Sequence, residues 1–169
     1  MTTEREMLDL VHKRYAHAFN GTSPRYVVAE HVQFNPTWST RCLDAVVADM
    51  WPSNGFAMHG IEIKCSRSDL KRELDHPEKA ETFSEHLDFF WLAVSDEKVL
   101  SNLMPPANWG ILTVRSGRLQ VKRQAPRLRP KLVGYTQRDP LPRNVQVALL
   151  RATRKTYEAQ GARAAVVVS

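Results

Sequence analysis

Apolar and polar positions follow two different periods along this chain. Met7, Leu8, Leu10, Val11, Tyr15 and Ala18 recur at helical spacing, with acids early and Lys13 and Arg14 late. That pattern predicts a first helix whose charges match its dipole, stopped at Asn20-Gly21. From residue 25 the texture becomes that of strands, over 25–34, 41–51 and 56–65. Asn35-Pro36-Thr37 and Pro52-Ser53-Asn54-Gly55 supply the turns between them. Three strands joined by short turns predict an antiparallel meander. Ser66-Arg67-Ser68-Asp69 reads as a capping box opening a charged helical stretch over 70–85, which Pro77 breaks or kinks. Residues 86–94 form a dense apolar run without alternation, the pattern of a central strand covered on both faces. A strand over 109–114 turns at Ser116-Gly117 into a partner over 119–123. Prolines at 126, 130, 140 and 142 then interrupt a basic stretch. Val145, Val147, Leu149, Leu150 and Tyr157 predict a last helix ended at Gly161, with the apolar tail 164–168 an edge strand or disordered.

Composition narrows the class. At 169 residues, 43% hydrophobic and 25% charged, the chain suits one domain with a real core. A formal charge of +6 favours a polyanionic partner, nucleic acid first, although solvated lysines and arginines give the same number. Two cysteines, Cys42 and Cys65, make no disulfide framework and read as small buried residues of a reducing compartment. The first residues lack the layout of a secretory signal, and no apolar run nears the ~20 residues of a membrane span. A cytoplasmic protein without membrane contact is expected. The six histidines show no ligand spacing for zinc, and no phosphate-binding glycine loop occurs.

The chemistry concentrates in Ile61-Glu62-Ile63-Lys64-Cys65. On a strand, Ile61, Ile63 and Cys65 point one way, and Glu62 and Lys64 the other. One strand earlier, Asp44 opens the apolar run 42–49, with Asp49 on the opposite face from it. A lone Glu-x-Lys is ordinarily a solvated pair or a cross-strand ion pair. An acid one strand earlier changes the reading. Phosphodiester hydrolysis takes a divalent cation, a carboxylate cage to hold it, and a positive group to offset charge. Mg²⁺ or Mn²⁺ accepts oxygen donors and keeps several waters. Asp44, Glu62 and the backbone carbonyl of Ile63 can form the cage. Lys64 then orients and helps deprotonate water, or neutralises growing negative charge.

On these residues the chain resembles the PD-(D/E)XK nuclease superfamily, and more narrowly the MmcB-like DNA repair proteins and their actinobacterial and phage relatives. The matching text is 43–48, 61–70, 75–81, 88–94 and 105–112, so the likeness covers roughly 1–125. It implies a restriction-endonuclease-like α/β core: a central mixed sheet flanked by helices, in the order αβββαβ, then further strands and a C-terminal helix. It implies a nuclease domain over 1–125; beyond the likeness, the prolines, basic residues and apolar spacing mark 126–169 as a linker and C-terminal helix or tail, packed on or extending from the same domain. It implies Mg²⁺- or Mn²⁺-dependent hydrolysis of DNA in repair, recombination or phage DNA processing, in a bacterial or phage-infected cell. A homodimer is compatible with cutting two strands. Carried over by position, Asp44 is the first motif acid, and Glu62 and Lys64 are the (D/E)XK pair. Leu43 stands where the superfamily name has proline. Glu30 is a further candidate metal ligand, although its face relative to the others is open. Lys79, Arg67, Arg118, Lys122 and Arg123 are candidate contacts to nucleic acid. A non-catalytic DNA-binding or repair-accessory protein on the same fold is the alternative.

Overall fold

Strand parity and helix amphipathicity together set the architecture. The computed structural model describes residues 2–16, 18–19, 23–34, 42–76, 83–130 and 141–168. Helix α1 (Glu4–Tyr15) opens on a capping box in which the Thr3 hydroxyl accepts from the Glu6 amide and the Glu6 carboxylate accepts from the Thr3 amide. A two-stranded ribbon, β1 (Ala18–Phe19) and β2 (Ser23–Pro24), follows. The main sheet then takes β3 (Tyr26–Val32), β4 (Leu43–Asp49) and β5 (Met58–Lys64) as an antiparallel meander. Helix α2 (Arg67–Leu74) crosses over to β6 (Phe89–Val94), which lies parallel to β5 and to the next strand, β7 (Gly110–Arg115). β8 (Arg118–Arg123) returns antiparallel, and α3 (Arg143–Val168) ends the described chain. The result is one mixed six-stranded sheet in the order β3-β4-β5-β6-β7-β8. It is the expected α/β fold, with the helix, three strands, helix and strand in the expected order.

Each face of the sheet has its own core. On one face α1 packs Met7, Leu8, Val11 and Tyr15 against Val28, Ala45, Val47, Ile61, Ile63 and Trp91. On the other face Leu70 of α2 and Val145, Ala148 and Ala152 of α3 meet Ala29, Val46, Phe90, Leu92 and Val94. β6 is buried along almost its whole length, as its unbroken apolar run requires. Gly60 of β5 leaves room for Leu87, whose Cδ1 would lie 2.4 Å from an added Cβ. Ser116 and Gly117, with φ 49° and 70°, form the tight turn between β7 and β8.

Helix α3 closes an open edge. Its Thr156 hydroxyl accepts from the Glu30 amide of β3 at 2.8 Å, and Asn144 donates to the Phe34 carbonyl. An unpaired strand edge is thereby occupied. Gln160, further along, reaches His12 of α1.

Several local expectations differ from the structure. α2 ends at Leu74 rather than near 85, while Pro77 lies outside the described residues. α3 runs through Gly161 to Val168, so the tail is helix, not an edge strand. A mid-helix glycine costs only about 1 kcal/mol, and Ala162, Arg163, Ala164 and Ala165 around it are strong helix formers. Cys42 is exposed and Cys65 half-buried, because they sit just outside the ends of β4 and β5 rather than in the core. Among the described residues no helix is long and apolar enough to cross a membrane.

Candidate functional site

The strands diverge where the chemistry gathers. Pairing of β4 with β5 runs from Ala48–Met58 to Ala45–Ile61 and goes no further. In the opening beyond it, Asp44 Oδ2 accepts the Ile63 amide at 2.6 Å, replacing a ladder acceptor. Glu62 and Lys64 alternate with Ile61 and Ile63, which are committed to the α1 face. Their side chains therefore rise on the α2 face, as the sequence parity requires. Lys64 Nζ lies 2.5 Å from Glu62 Oε1.

A second carboxylate meets the same ammonium. Glu73 of α2 stands 3.2 Å from Lys64 Nζ. The start of α2 is fixed by Ser66, whose hydroxyl accepts from the Asp69 amide and donates to its carboxylate. Leu70 is fully buried, and Glu73 follows it by three residues on the same helical stripe. Glu73 is not among the residues that the sequence motifs single out. Its signal was a glutamate on the sheet-facing side of an amphipathic helix.

Charge in this cluster is unbalanced. Three carboxyl groups, of Asp44, Glu62 and Glu73, gather near the one ammonium of Lys64. Burial, the strongest influence, raises the Glu62 carboxyl, and the Asp44 charge raises it further, to about 8 despite Lys64. Burial likewise raises Asp44, to about 6, although the Ile63 amide and Lys64 pull it back. Burial disfavours the Lys64 ammonium, but Glu62, Glu73 and Asp44 outweigh that and raise its pKa.

Asp44 also borders a second group. Ligand atoms of Glu4, His31 and Asp44 all lie within 4.8 Å of one another. The β3–β4 register, Glu30–Ala45 and Val32–Leu43, sets His31 opposite Asp44. His31 holds φ 51°, a left-handed conformation at the end of a strand.

Glu30 does not join the site. It pairs with Ala45, so it stands on the α1 face. There Arg5 grips both carboxylate oxygens at 2.6 and 2.8 Å, and His12 lies 2.7 Å away. Burial alone would push Glu30 up; hydrogen bonds and charge from Arg5 and His12 bring it down to about 2. Its expected role as a metal ligand is corrected on that geometry. Asp49 belongs to structure as well: Arg25, Asn54 and the Trp51 amide all donate to it.

The candidate nucleic-acid contacts divide. Arg123 is committed inward, donating to the carbonyls of Trp109, Pro105 and Pro106, and is corrected from a phosphate contact to a structural residue. Lys122 pairs with Glu97 at 2.8 Å, beside Arg115, which binds the same carboxylate. Arg67 donates to the Ser101 carbonyl while staying exposed. Arg118 is exposed at the hairpin and has no ion-pair partner among the described residues. Lys79 lies outside the described residues.

The chain matches no protein-family model and no curated protein. It is similar to a solved structure described as "SPO1766 protein of unknown function from Silicibacter pomeroyi". The TM-score is 0.51 and the identity 21%, over 83% of this chain and 79% of that one. That likeness shows the α/β fold.

Proposed function

We propose that this protein is a nuclease of the PD-(D/E)XK type, hydrolysing phosphodiester bonds of DNA with Mg²⁺ or Mn²⁺. The observation that carries the reading is the meeting of Asp44, Glu62 and Lys64 at the point where β4 and β5 part, with carboxyl groups outnumbering cationic ones. Buried carboxylates that lack enough cations are a site for a divalent ion. The donor set fits a hard cation: Asp44 and Glu62 supply carboxylate oxygens, and the third donor is the Ile63 carbonyl. In a strand, a residue's N–H and C=O leave toward the same neighbour. The Ile63 amide faces Asp44, and the Lys64 carbonyl faces β6 through the Ser95 amide. The Ile63 carbonyl is therefore aimed at the gap beside Asp44. Glu4 and His31 border that gap from the other side.

When bound, the cation would supply Lewis-acid polarisation of a phosphate and a more acidic water. The chain's own residues do the remaining work. Asp44 and Glu62 set where the positive charge sits. Lys64, held charged by its carboxylates, offsets negative charge as it develops on the phosphate or on the attacking oxygen. Arg67 and Arg118, exposed on elements that begin at this end of the sheet, support a backbone approach. A repair, recombination or phage-processing role belongs to this proposal and rests on the resemblance of residues 43–48 and 61–70.

A panel of duplex, single-stranded and branched DNA substrates, with RNA as control, tests it in Mn²⁺ against Lys64→Ala. Cutting by the wild type that EDTA stops, and that Lys64→Ala loses while folded, is the expected result. Binding without cutting in Mn²⁺ would instead favour an accessory DNA-binding protein.

A further inference from the structure

Lys64 touches two carboxylates that arrive from different elements. Glu62, on its own strand, is 2.5 Å from Nζ, and Glu73 on α2 is 3.2 Å away. All three side chains are nearly closed off, with 14% of Lys64, 12% of Glu62 and 13% of Glu73 exposed. We propose that Glu73 is a positioning residue that receives the Lys64 ammonium when a divalent cation takes Glu62. The inference rests on the reading of Asp44 and Glu62 as cation ligands, and adds a residue that reading does not contain.

A divalent cation and the Lys64 ammonium compete for one carboxylate. Glu62 cannot serve a divalent cation and an ammonium at 2.5 Å with the same oxygen. Without Glu73, the displaced ammonium would stay in a nearly closed site with Glu62 and Asp44 both engaged by the cation, which is strongly disfavoured. Glu73 removes that obstacle, because it already touches Nζ. The handover needs only rotation of the Lys64 side chain, since α2 is tied to the end of β5 by a two-residue link and its Ser66 cap. Lys64 thus stays beside the cation instead of leaving for solvent. Glu73 acts through Lys64 and has no other role in the proposal.

Mn²⁺ binding to the full chain, measured by calorimetry or electron paramagnetic resonance without substrate, tests the handover. Four proteins are compared: wild type, Glu73→Gln, Lys64→Met and the double variant, each checked for folding by a thermal melt. Glu73→Gln should weaken Mn²⁺ binding about tenfold when Lys64 is present, and under about twofold when it is Met. Equal losses in both backgrounds would make Glu73 a ligand or a distant charge, and no loss in either would make it a bystander; both overturn the inference alone. A wild type that binds no Mn²⁺ overturns the cation reading, and the inference with it. Glu73→Asp, which keeps the charge and shortens the reach, should recover part of the affinity and serves if Glu73→Gln does not fold. In cleavage, Glu73→Gln should lower kcat with KM unchanged when rates are referred to the concentration of folded protein, so that a loss of structure is not counted as a loss of chemistry.

Discussion

Two acidic clusters sit on opposite faces of the same sheet and behave in opposite ways. On the α1 face, Glu30 is matched by Arg5 and His12, and its carboxyl falls to about 2. On the α2 face, Glu62 and Glu73 share Lys64, with Asp44 in the gap beside them next to Glu4 and His31, and Asp44 and Glu62 rise to about 6 and about 8. Burial pushes the carboxyls up on both faces, so burial does not distinguish them. The number of cationic groups per carboxyl does. A matched carboxylate is structural, and an unmatched pair next to a lysine is chemically poised.

The largest effect that can break this comparison is on cleavage. Asp44→Ala and Lys64→Ala should each reduce divalent-dependent DNA cleavage by at least about a thousandfold. Circular dichroism should show both variants folded. Undiminished cleavage by folded Lys64→Ala removes the catalytic half of the contrast.

Glu30→Gln should do the reverse, leaving cleavage intact and lowering stability by about 2 kcal/mol, since it removes charged hydrogen bonds to Arg5 and His12. Urea unfolding measures this. The pH dependence has a definite sign. Glu30 is depressed from 4.5, so its contribution is present above about 4.5 and lost as pH falls towards 2. A Glu30→Gln protein whose stability falls with acid as steeply as wild type would contradict the assignment.

The other face should show the opposite slope, with a smaller effect. Asp44 and Glu62 are raised from 3.8 and 4.5, so the folded state binds protons more tightly there. Their stabilisation is full below about 4 and is lost as pH rises through about 6 to about 8. In EDTA, melting temperature should therefore fall across that window by a few degrees for wild type, and by less for Glu62→Gln. Mn²⁺ should restore more stability at pH 8 than at pH 6, and equal gains at both would count against the site.

The smallest effects concern the basic residues. Arg123→Ala should destabilise the fold, because three backbone carbonyls lose their donor. Arg118→Ala should leave the melt within about 0.5 kcal/mol and weaken DNA binding in a salt-dependent way. A filter-binding titration at two salt concentrations separates them.

Much of this was legible one element at a time. The alternation of Ile61, Glu62, Ile63 and Lys64 placed the charged pair on one face, and the structure keeps it so. The Ser66 cap, the Ser116-Gly117 turn and the buried strand over 89–94 follow from equally local rules. Glu30 was not legible. Parity orders residues within a strand, but a neighbour's face depends on register, and Glu30 pairs with Ala45 rather than with an even-numbered residue such as Asp44. Arg123 misled because a basic run shows its charge and not the carbonyls that fold against it.

What the sequence by itself determined is whatever a short stretch of backbone decides: helix caps, turns, the two faces of β5, and the pairing of Glu62 with Lys64 two residues on. What only the tertiary structure decided is which groups come from elsewhere. The β3–β4 register turned Glu30 away to Arg5 and His12, the parting of β4 from β5 admitted Asp44 to the Ile63 amide, and the docking of α2 brought Glu73 to Lys64. The physical reason is range. Backbone geometry repeats every two or 3.6 residues and can be read along the chain, whereas the balance of charge in a site depends on every side chain within a few ångströms, wherever in the chain it began.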